Sequence, residues 1–590
     1  MKKLNTSDYK LLTGLFFRLL PYQILLIVIS AVNGIVDSLF ASNVIGETAM
    51  SAIGLYGPLN HLLYAATMML VSGSQILYGR YLAKERENIH GLFSVNIVIS
   101  FCLGLAISAL LAICAATGAT RLLVSQEPDL QMLNEYIYGQ AIGIPALILG
   151  QQLFAFLSLE NQTRRTMAAS ILCFVVNGAM DHLFLNIIPM GTFGLGLSSS
   201  IANWVFLAFL SVWYLTGKSE WKFSFRSCRW QDISKIALLG YPGALSRFVE
   251  TFRCLIVNFL LLSHVGTAAL SAFAASNSLL SVVWAVPFGM VAVTRMLLSI
   301  SIGEEDRRSM IDVMRIVMTK GMLIQVGIVA LLVLLAEPLT RLYYQDPLDP
   351  VYSMTVMGFR ILPLCMPLSL WSLHYTCYAQ TSEKKVMSTV LPIVDGFVGV
   401  VLFSLILIPT LKANGLYISN VLNGVLCAAV ILVGAWIALK RFPRTLEDQM
   451  AIPEHFGAAE NERIDISVTS MEEVLTVSRQ VIDFCTERGI DKRRAYHAGL
   501  CMEEMAGNIV AHGFGQNQHR NSIDIRVVHK DNDIILRIRD NCQAFNPTEH
   551  AQLMEPGDMG KNVGIRLVYG MASSITYQNL LGMNVLTMRI

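Results

Sequence analysis

The sequence has little charge and no paired cysteines. Of its 590 residues, 15% are charged and 54% are hydrophobic, whereas soluble domains carry about 25% charged residues. Its 11 cysteines are scattered singly without a Cys-x-x-Cys pair, which argues against a zinc site or a disulfide framework and suits a reduced cytosolic side. The net charge is only +2, and the basic residues lie in loops rather than in one stripe, so we expect no nucleic-acid partner. A membrane protein is the class that this composition favours.

Long apolar blocks support that class. Each block is long enough to cross roughly 30 Å of hydrocarbon as an α-helix. The N-terminus lacks the short apolar core and cleavage site of a signal peptide, so we expect the first block to be retained as a membrane helix. The blocks predict twelve transmembrane helices, near residues 15–43, 52–79, 91–117, 131–158, 166–188, 194–216, 233–262, 268–300, 311–335, 352–379, 386–408 and 414–440.

Lys and Arg are unequally divided between the two sets of loops. One set holds most of them, for example Arg164 and Arg307, while the other holds only Arg121, Arg341 and Lys412. Positive residues in short loops stay in the cytoplasm. The asymmetry therefore predicts that both termini are cytoplasmic.

The two halves of the apolar region resemble each other. Residues 45–53 (IGETAMSAI) reappear as residues 265–273 (VGTAALSAF), 220 positions later, and the same offset aligns residues 82–85 with residues 302–305. With six helices in each repeat, both copies enter the membrane in the same direction. We therefore predict an N-lobe (residues 1–220) and a C-lobe (residues 221–444) with a substrate cavity between them.

Four carboxylates fall inside the predicted spans: Asp37, Asp181, Glu250 and Asp395. Ionisable groups are costly there and usually face the interior of the bundle. Asn177 precedes Asp181 by one helical turn, so its amide shares a face with that carboxylate. With Asp37 they form an oxygen-rich group that suits either Na⁺ or a proton carried by a buried carboxylate. The sequence leaves the two coupling ions open.

Three arginines, Arg247, Arg253 and Arg295, also fall inside predicted spans. Arg247 and Arg253 lie about one helical turn from Glu250, so we expect an internal ion pair there.

The composition changes after Arg444, where charges return and apolar runs shorten. Residues 445–461 are predicted to be a linker, and residues 462–590 a separate soluble domain. Its pattern is strand, helix, helix, two strands, a polar loop, helix and a closing hairpin, which predicts an α+β fold with helices against a largely antiparallel sheet.

A candidate nucleotide site lies in this domain. Glu504 and Asn508 are one turn apart on a predicted helix, where a carboxylate can activate a nucleophile and an amide oxygen can reach Mg²⁺. Asp540 ends a predicted strand. Gly560 and Gly564 precede and open the next helix, whose N-terminal N–H groups would be available to phosphate.

Residues 36–40 (VDSLF), the Asn177-x-x-x-Asp181 pair, residues 194–202 (GLGLSSSIA) and the two-lobe repeat resemble the multidrug and toxic compound extrusion (MATE) family over about residues 10–440. This resemblance implies an antiporter of the bacterial inner membrane that exports cationic or amphiphilic molecules against Na⁺ or H⁺. It implies an N-lobe cation site of Asp37, Asn177 and Asp181 with Ser199, and a C-lobe acid at Glu250. The partner acid of one branch of the family is absent from residues 359–380.

Residues 465–590 resemble the histidine-kinase-type ATPase fold, and most closely the anti-sigma-factor serine kinases. By this resemblance Glu504 would be the base, Asn508 the Mg²⁺ ligand, Asp540 the adenine contact, and Gly560 and Gly564 part of the nucleotide lid. The sequence departs from the pattern at residues 542–544 (CQA), where glycines are expected.

The leading hypothesis is a cation-coupled exporter of drug-like molecules, surrounded by membrane lipid, whose cytoplasmic domain binds ATP with Mg²⁺ and regulates transport or a partner protein. One alternative is a membrane ligand sensor whose domain phosphorylates or sequesters a cytoplasmic regulator. A further alternative is an exporter of lipid-linked or peptide substrates, because a fold does not fix its substrate.

Overall fold

The computed structural model describes residues 10–40, 44–45, 47–84, 86–122, 127–160, 162–219, 221–344, 346–453, 456–458, 460–514, 522–530, 533–543, 546, 563–580 and 582–590. A helical bundle is followed by a small α+β domain, residues 460–590, which we call the tail domain. The helices of the bundle are α1 (Lys10–Phe40), α2 (Glu47–Lys84), α3 (Ile89–Thr117), α4 (Glu127–Ala141), α5 (Ile144–Leu159), α6 (Thr163–His182), α7 (Gly191–Leu215), α8 (Asp232–His264), α9 (Thr267–Val283), α10 (Ala285–Gly303), α11 (Arg307–Ile316), α12 (Met322–Leu334), α13 (Ala336–Thr340), α14 (Pro350–Ile361), α15 (Met366–Thr381), α16 (Lys385–Ile393), α17 (Gly399–Leu411) and α18 (Ala413–Leu439).

The predicted membrane helices are present. In the described part of the chain, 10 helical segments are long and apolar enough to cross a membrane, and the pair Leu130–Ala141 and Ile144–Leu159, bent by 46°, makes an eleventh. The other long helix, α8, has 33 residues and carries Arg247, Glu250 and Arg253 within two turns, which lowers its apolar character. Each of the twelve predicted spans falls on one of these segments, and the all-α membrane fold with an appended α+β domain is confirmed.

The two lobes touch through backbone atoms at the end of the bundle that carries the tail domain. Helix α2 of the N-lobe meets α8 of the C-lobe at two glycines. A Cβ on Gly240 would lie 1.9 Å from the Met69 carbonyl oxygen, and one on Gly73 would lie 2.1 Å from the Ile236 carbonyl oxygen. Neither position has room for a side chain, so the two glycines are what lets the helices meet.

Polar contacts close the same end. Arg80 of α2 pairs with Glu383 and donates to the Thr381 carbonyl oxygen at 2.8 Å, both in the C-lobe. Gln380 donates to the Ser72 hydroxyl across the seam at 3.4 Å. The lobes are therefore sealed together at this end, which we call the tail side.

The tail domain is a five-stranded antiparallel sheet covered by helices on one face. The strands have the order β1-β2-β3-β5-β4, and alternate apolar side chains such as Ile525, Leu536 and Leu586 form a core with the helices. The other face of the sheet is turned toward the tail side of the bundle. The elements are β1 (Arg463–Val468), α20 (Met471–Glu487), α21 (Lys492–Asn508), β2 (Ile523–Lys530), β3 (Asp533–Asp540), α22 (Val563–Met571), β4 (Ser574–Leu580) and β5 (Met583–Arg589).

The segment between the bundle and the tail domain is packed rather than free where the structure describes it. A short helix, α19 (Leu446–Met450), begins with a capping box formed by Thr445 and Asp448. Met450 is fully buried in the core of the bundle, and Lys384 donates to the carbonyl oxygens of Met450 and Ala451. Burial lowers the pKa of Lys384 to about 8. The predicted linker is therefore packed against the bundle as far as the structure describes it, since Arg307 also donates to the carbonyl oxygens of Pro453 and Phe456.

Candidate functional site

The N-lobe holds one carboxylate in a fully buried polar group. Asp181 of α6 is 0% exposed; the Asn177 side-chain amide donates to its Oδ2 at 3.0 Å, and the Ser198 hydroxyl of α7 donates to its Oδ1. Asn177 and Asp181 share a face because they are one turn apart. The two donors stabilise the ionised carboxylate, since a buried charge is tolerated only with polar partners.

Two further residues are predicted for this group, Ser199 and Asp37. Sequence analysis predicts the Ser199 hydroxyl, but Ser198 is the residue that contacts Asp181; one residue on a helix is a rotation of about 100°, so a hydroxyl next in sequence points elsewhere. Asp37 lies on α1, which packs against α6, but its side chain is outside the described part of the structure.

Glu250 of the C-lobe is held in an ion pair. Arg247 contacts its Oε2 at 3.1 Å and Arg253 its Oε1 at 3.3 Å. The ion pair expected from the sequence is therefore present. Two fixed guanidinium groups already compensate this carboxylate, which weakens the case for Glu250 as the ligand of a transported cation. Arg295 lies on α10 beside Cys377 of α15.

Asp395 repeats the chemistry of the N-lobe group with different helices. It accepts from the Asn423 amide at 2.8 Å and from the Ser372 hydroxyl at 3.2 Å. In the described part of each lobe, an aspartate thus accepts from an asparagine and a serine. Sequence analysis identifies Asp395 as an intramembrane acid but does not include its two partners, because they come from helices distant in sequence.

The tail domain brings Glu504, Asn508 and Gly564 together. Glu504 and Asn508 are one turn apart on α21 and are both half-buried. A Cβ on Gly564, at the start of α22, would lie 2.0 Å from Glu504 Oε2. A side chain at position 564 would therefore displace the carboxylate. Gly560 lies outside the described residues.

Asp540 sits at the end of β3, held by a residue that sequence analysis misses. Its Oδ1 accepts from the Asn584 amide at 2.8 Å and from the Cys542 backbone N–H at 2.9 Å. Asn584 lies opposite Asp540 in the β3–β5 pairing, and only the register of those strands could have identified it. Burial raises the pKa of Asp540.

Cys542 stands where the resemblance predicts a glycine, and its side chain fills space between the end of β3 and the segment after α21. Its side chain packs against Gly513, where a Cβ would lie 3.0 Å from the Cys542 Cβ. Burial raises the pKa of its thiol to about 12, so it is an inert thiol at neutral pH. The Cys542 side chain also hydrogen-bonds to Asp540. A carboxylate has about four acceptor sites, so the residues present still fit a nucleotide base that donates from an exocyclic amine.

Comparison with known proteins identifies both parts of the chain. Residues 24–183 and 242–405, more than half of the sequence, match the MatE family model. The chain belongs to the MatE family. Residues 468–590 match the model described as a histidine kinase-like ATPase domain, so this MatE-family chain carries a second recognised domain.

Curated relatives of this MatE-family chain bear the names of multidrug resistance proteins. The probable multidrug resistance protein NorM of Aromatoleum aromaticum is 25% identical over 230 residues, which is 36% of this chain and 48% of that protein. The protein of the same name from Chromobacterium violaceum is 24% identical over 349 residues, 55% of this chain and 71% of that protein. The chain thus spans about half the length of the first of these relatives.

Solved structures share the fold of the bundle. A crystal structure of MATE in complex with MaL6 has a TM-score of 0.67 at 18% identity, covering 72% of this chain and 97% of that one. An outward-facing conformation of a multidrug resistance MATE family transporter has a TM-score of 0.65 at 18% identity, covering 72% and 96%.

Proposed function

We propose that this chain is a secondary transporter that exports cationic or amphiphilic organic molecules across the bacterial inner membrane in exchange for Na⁺ or H⁺. The observation that carries the proposal is the buried group of Asp181, Asn177 and Ser198 inside a MatE-family bundle. Export needs a site whose charge changes when the coupling ion binds. A buried carboxylate that accepts from neutral donors such as Asn177 and Ser198 has that property, because it is neutralised by either ion.

The proposed cycle uses the seam between α2 and α8 as one of two gates. The structure is sealed on the tail side, which on the charge asymmetry of the loops would face the cytoplasm. Neutralising Asp181 removes the charge that holds its two donors in place, and the lobes can then repack and open the other way. Transport in this scheme does not consume ATP.

The test is transport by the purified full chain in liposomes. An imposed gradient of Na⁺ or of H⁺, applied separately, is expected to drive movement of a fluorescent cationic dye, and collapsing that gradient should stop it. ATP in place of a gradient should drive nothing. If neither gradient moves the dye, or any other cationic or amphiphilic molecule tried, the exporter proposal is wrong.

The tail domain is proposed to bind ATP with Mg²⁺. Glu504 would orient or activate water or a hydroxyl, Asn508 would hold Mg²⁺, and Asp540 would accept from the base. A bound nucleotide would supply the γ-phosphate for any transfer reaction, and these three residues would position it.

Asp540→Asn is expected to weaken binding of a fluorescent ATP analogue by the full chain about 10- to 100-fold, because a hydrogen bond to a charged group contributes about 1.5–3 kcal/mol. Asp533→Asn, an exposed carboxylate at the other end of the same strand, is the matched control and should bind normally. Equal affinity of the two variants would show that Asp540 does not contact the base. No binding by the parent would reduce the domain to a protein-interaction module.

A second candidate function is a membrane ligand sensor. It is favoured by the joint presence of Glu504, Asn508 and Asp540, which a bare transporter does not need. Ligand-dependent transfer of phosphate from ATP to a cytoplasmic regulator, without net movement of the ligand, would select it. Export of lipid-linked or peptide substrates has less support, since Arg247 and Arg253 are engaged by Glu250.

A further inference from the structure

The face of the tail sheet that its own helices leave free carries three arginines, which are buried against the bundle. Arg526, Arg537 and Arg539 alternate along β2 and β3 with the apolar residues of the domain core, and their side chains are only 8–12% exposed. An antiparallel sheet with one free face usually presents such residues to water. Here the face is covered by the transporter.

The arginines hold two acids in the loop between α10 and α11. Arg537 contacts Glu304 at 2.8 Å, and Arg539 pairs with the same carboxylate. Arg526 and Arg537 both pair with Asp306, whose side chain is 0% exposed. Burial alone would raise the pKa of Asp306, but the three guanidinium groups outweigh it and hold that pKa well below its usual value.

Asp306 has a second function within the bundle. Its Oδ1 accepts from the Ser309 N–H at 2.9 Å and so caps α11, while Arg539 donates to the Ser309 hydroxyl at 2.7 Å. The tail domain is therefore attached to the cap of a membrane helix. A shift of α11 changes the geometry of the contact directly.

The domain also contacts the other lobe. Gln578 of β4 donates to the Leu82 carbonyl oxygen of α2 at 3.3 Å. Arg539, Val585 and Gln578 lie side by side across β3, β5 and β4, so one row of the sheet spans from the C-lobe to the N-lobe. Residues 82–85 and 302–305 occupy equivalent positions in the two repeats. The domain thus contacts equivalent regions of the two lobes, the last turn of α2 and the loop that follows α10.

We propose that the tail domain is an autoinhibitory lock that holds the tail-side gate of the transporter closed by binding equivalent regions of both lobes, the last turn of α2 and the loop after α10. A rigid domain that touches both lobes at one end resists their separation at that end. Its contacts with Glu304 and Asp306 are ionic and are made by long side chains that regain hydration when released, so the attachment is specific yet reversible. The lock rests on the proposed transport function.

The docking is tested first, without reference to transport. Val585 is 3% exposed and lies in the apolar cluster shared with the bundle, so in a Val585→Cys reporter the introduced thiol is protected only while the domain is docked. Glu304→Arg and Arg539→Glu are each expected to speed maleimide labelling of the peptide that contains this reporter thiol by at least about tenfold. The double variant Glu304→Arg/Arg539→Glu should restore part of the protection, because the exchanged pair still lies beside Arg537 and Asp306. Asp533→Arg, an exposed site on the same strand, should leave the protection of the parent unchanged. Fast labelling in the parent, or no rescue in the double variant, would overturn the docking.

The lock is tested on the same variants in liposomes. Glu304→Arg and Arg539→Glu should raise the initial rate of gradient-driven transport at least about twofold, because the gate-open state becomes more populated. The double variant should return part of the way to the parent rate. If the reporter thiol becomes exposed but the initial rate of transport is unchanged or lower, the autoinhibitory proposal is wrong, while the proposed export function stands. No transport by the parent would instead contradict the proposed function, since the labelling result does not depend on it.

Discussion

An Asp181→Asn variant is expected to lose gradient-driven transport by about 100-fold or more. The amide keeps the size of the side chain but cannot take up a proton or a charge-paired Na⁺. Loss of a charge-assisted interaction worth about 3 kcal/mol corresponds to two orders of magnitude. Initial rates in liposomes, measured at equal amounts of reconstituted protein, check the prediction.

Two neighbouring serines provide the matched controls. Ser198→Ala removes the hydroxyl that donates to Asp181 and should lower the rate about tenfold, since one hydrogen bond to a charged group is lost. Ser199→Ala, one position along α7, should stay near the parent rate. Size-exclusion profiles and thermal unfolding of all three variants distinguish loss of coupling from loss of fold. Normal transport by a well-folded Asp181→Asn variant would move the coupling site elsewhere.

A Gly240→Ala variant should fail to close the tail-side gate. Its new methyl group would meet the Met69 carbonyl oxygen at 1.9 Å, so α2 and α8 must move apart by about 1.5 Å to restore a normal contact. Overpacking a tight interface costs about 1–3 kcal/mol, and contact with backbone, which cannot rotate away, lies at the upper end. The closed state would lose about 10- to 100-fold in population relative to the open one.

The measurement uses a thiol at the seam. Ile236 is 0% exposed, so an Ile236→Cys reporter should be protected in the parent and label rapidly in the Gly240→Ala background, with transport falling about tenfold. Gly243→Ala lies about one turn along the same helix, where the nearest atom to the new Cβ is the Ser72 hydroxyl oxygen at 3.4 Å. That variant should label and transport like the parent. Equal behaviour of the two alanines would mean that the glycine seam does not form the gate.

Much of the bundle could be predicted from the sequence because its signals are local. Apolar runs indicate the twelve spans, and the spacing of Asn177 and Asp181 indicates a shared helical face that the structure places in one hydrogen-bonded group. The sequence predicts Ser199 in place of Ser198, because the rotation of α7 about its axis relative to α6 depends on packing rather than on spacing. The ion pair around Glu250 is predictable because all three residues lie on one helix.

The features that escape prediction depend on distant contacts. Arginines that alternate with apolar residues on β2 and β3 are typical of a sheet face that contacts water. The acidic residues that pair with them here lie more than 200 residues earlier in the chain. The contact between Asn584 and Asp540 depends on the register between β3 and β5. The buried position of Met450 depends on where the connecting segment docks. None of these contacts leaves a periodic pattern in the sequence.

Adjacent residues of β3 serve opposite faces of the tail sheet, since Arg539 holds Glu304 and Asp540 lines the candidate nucleotide site. A ligand that shifts the end of this strand therefore acts on both. Thermodynamic linkage makes such an effect symmetric: if nucleotide weakens docking by some factor, docking weakens nucleotide binding by the same factor. The membrane gradient, by opening and closing the lobes, would then set how tightly the domain holds ATP, and the transporter would report its own activity to the cytoplasm.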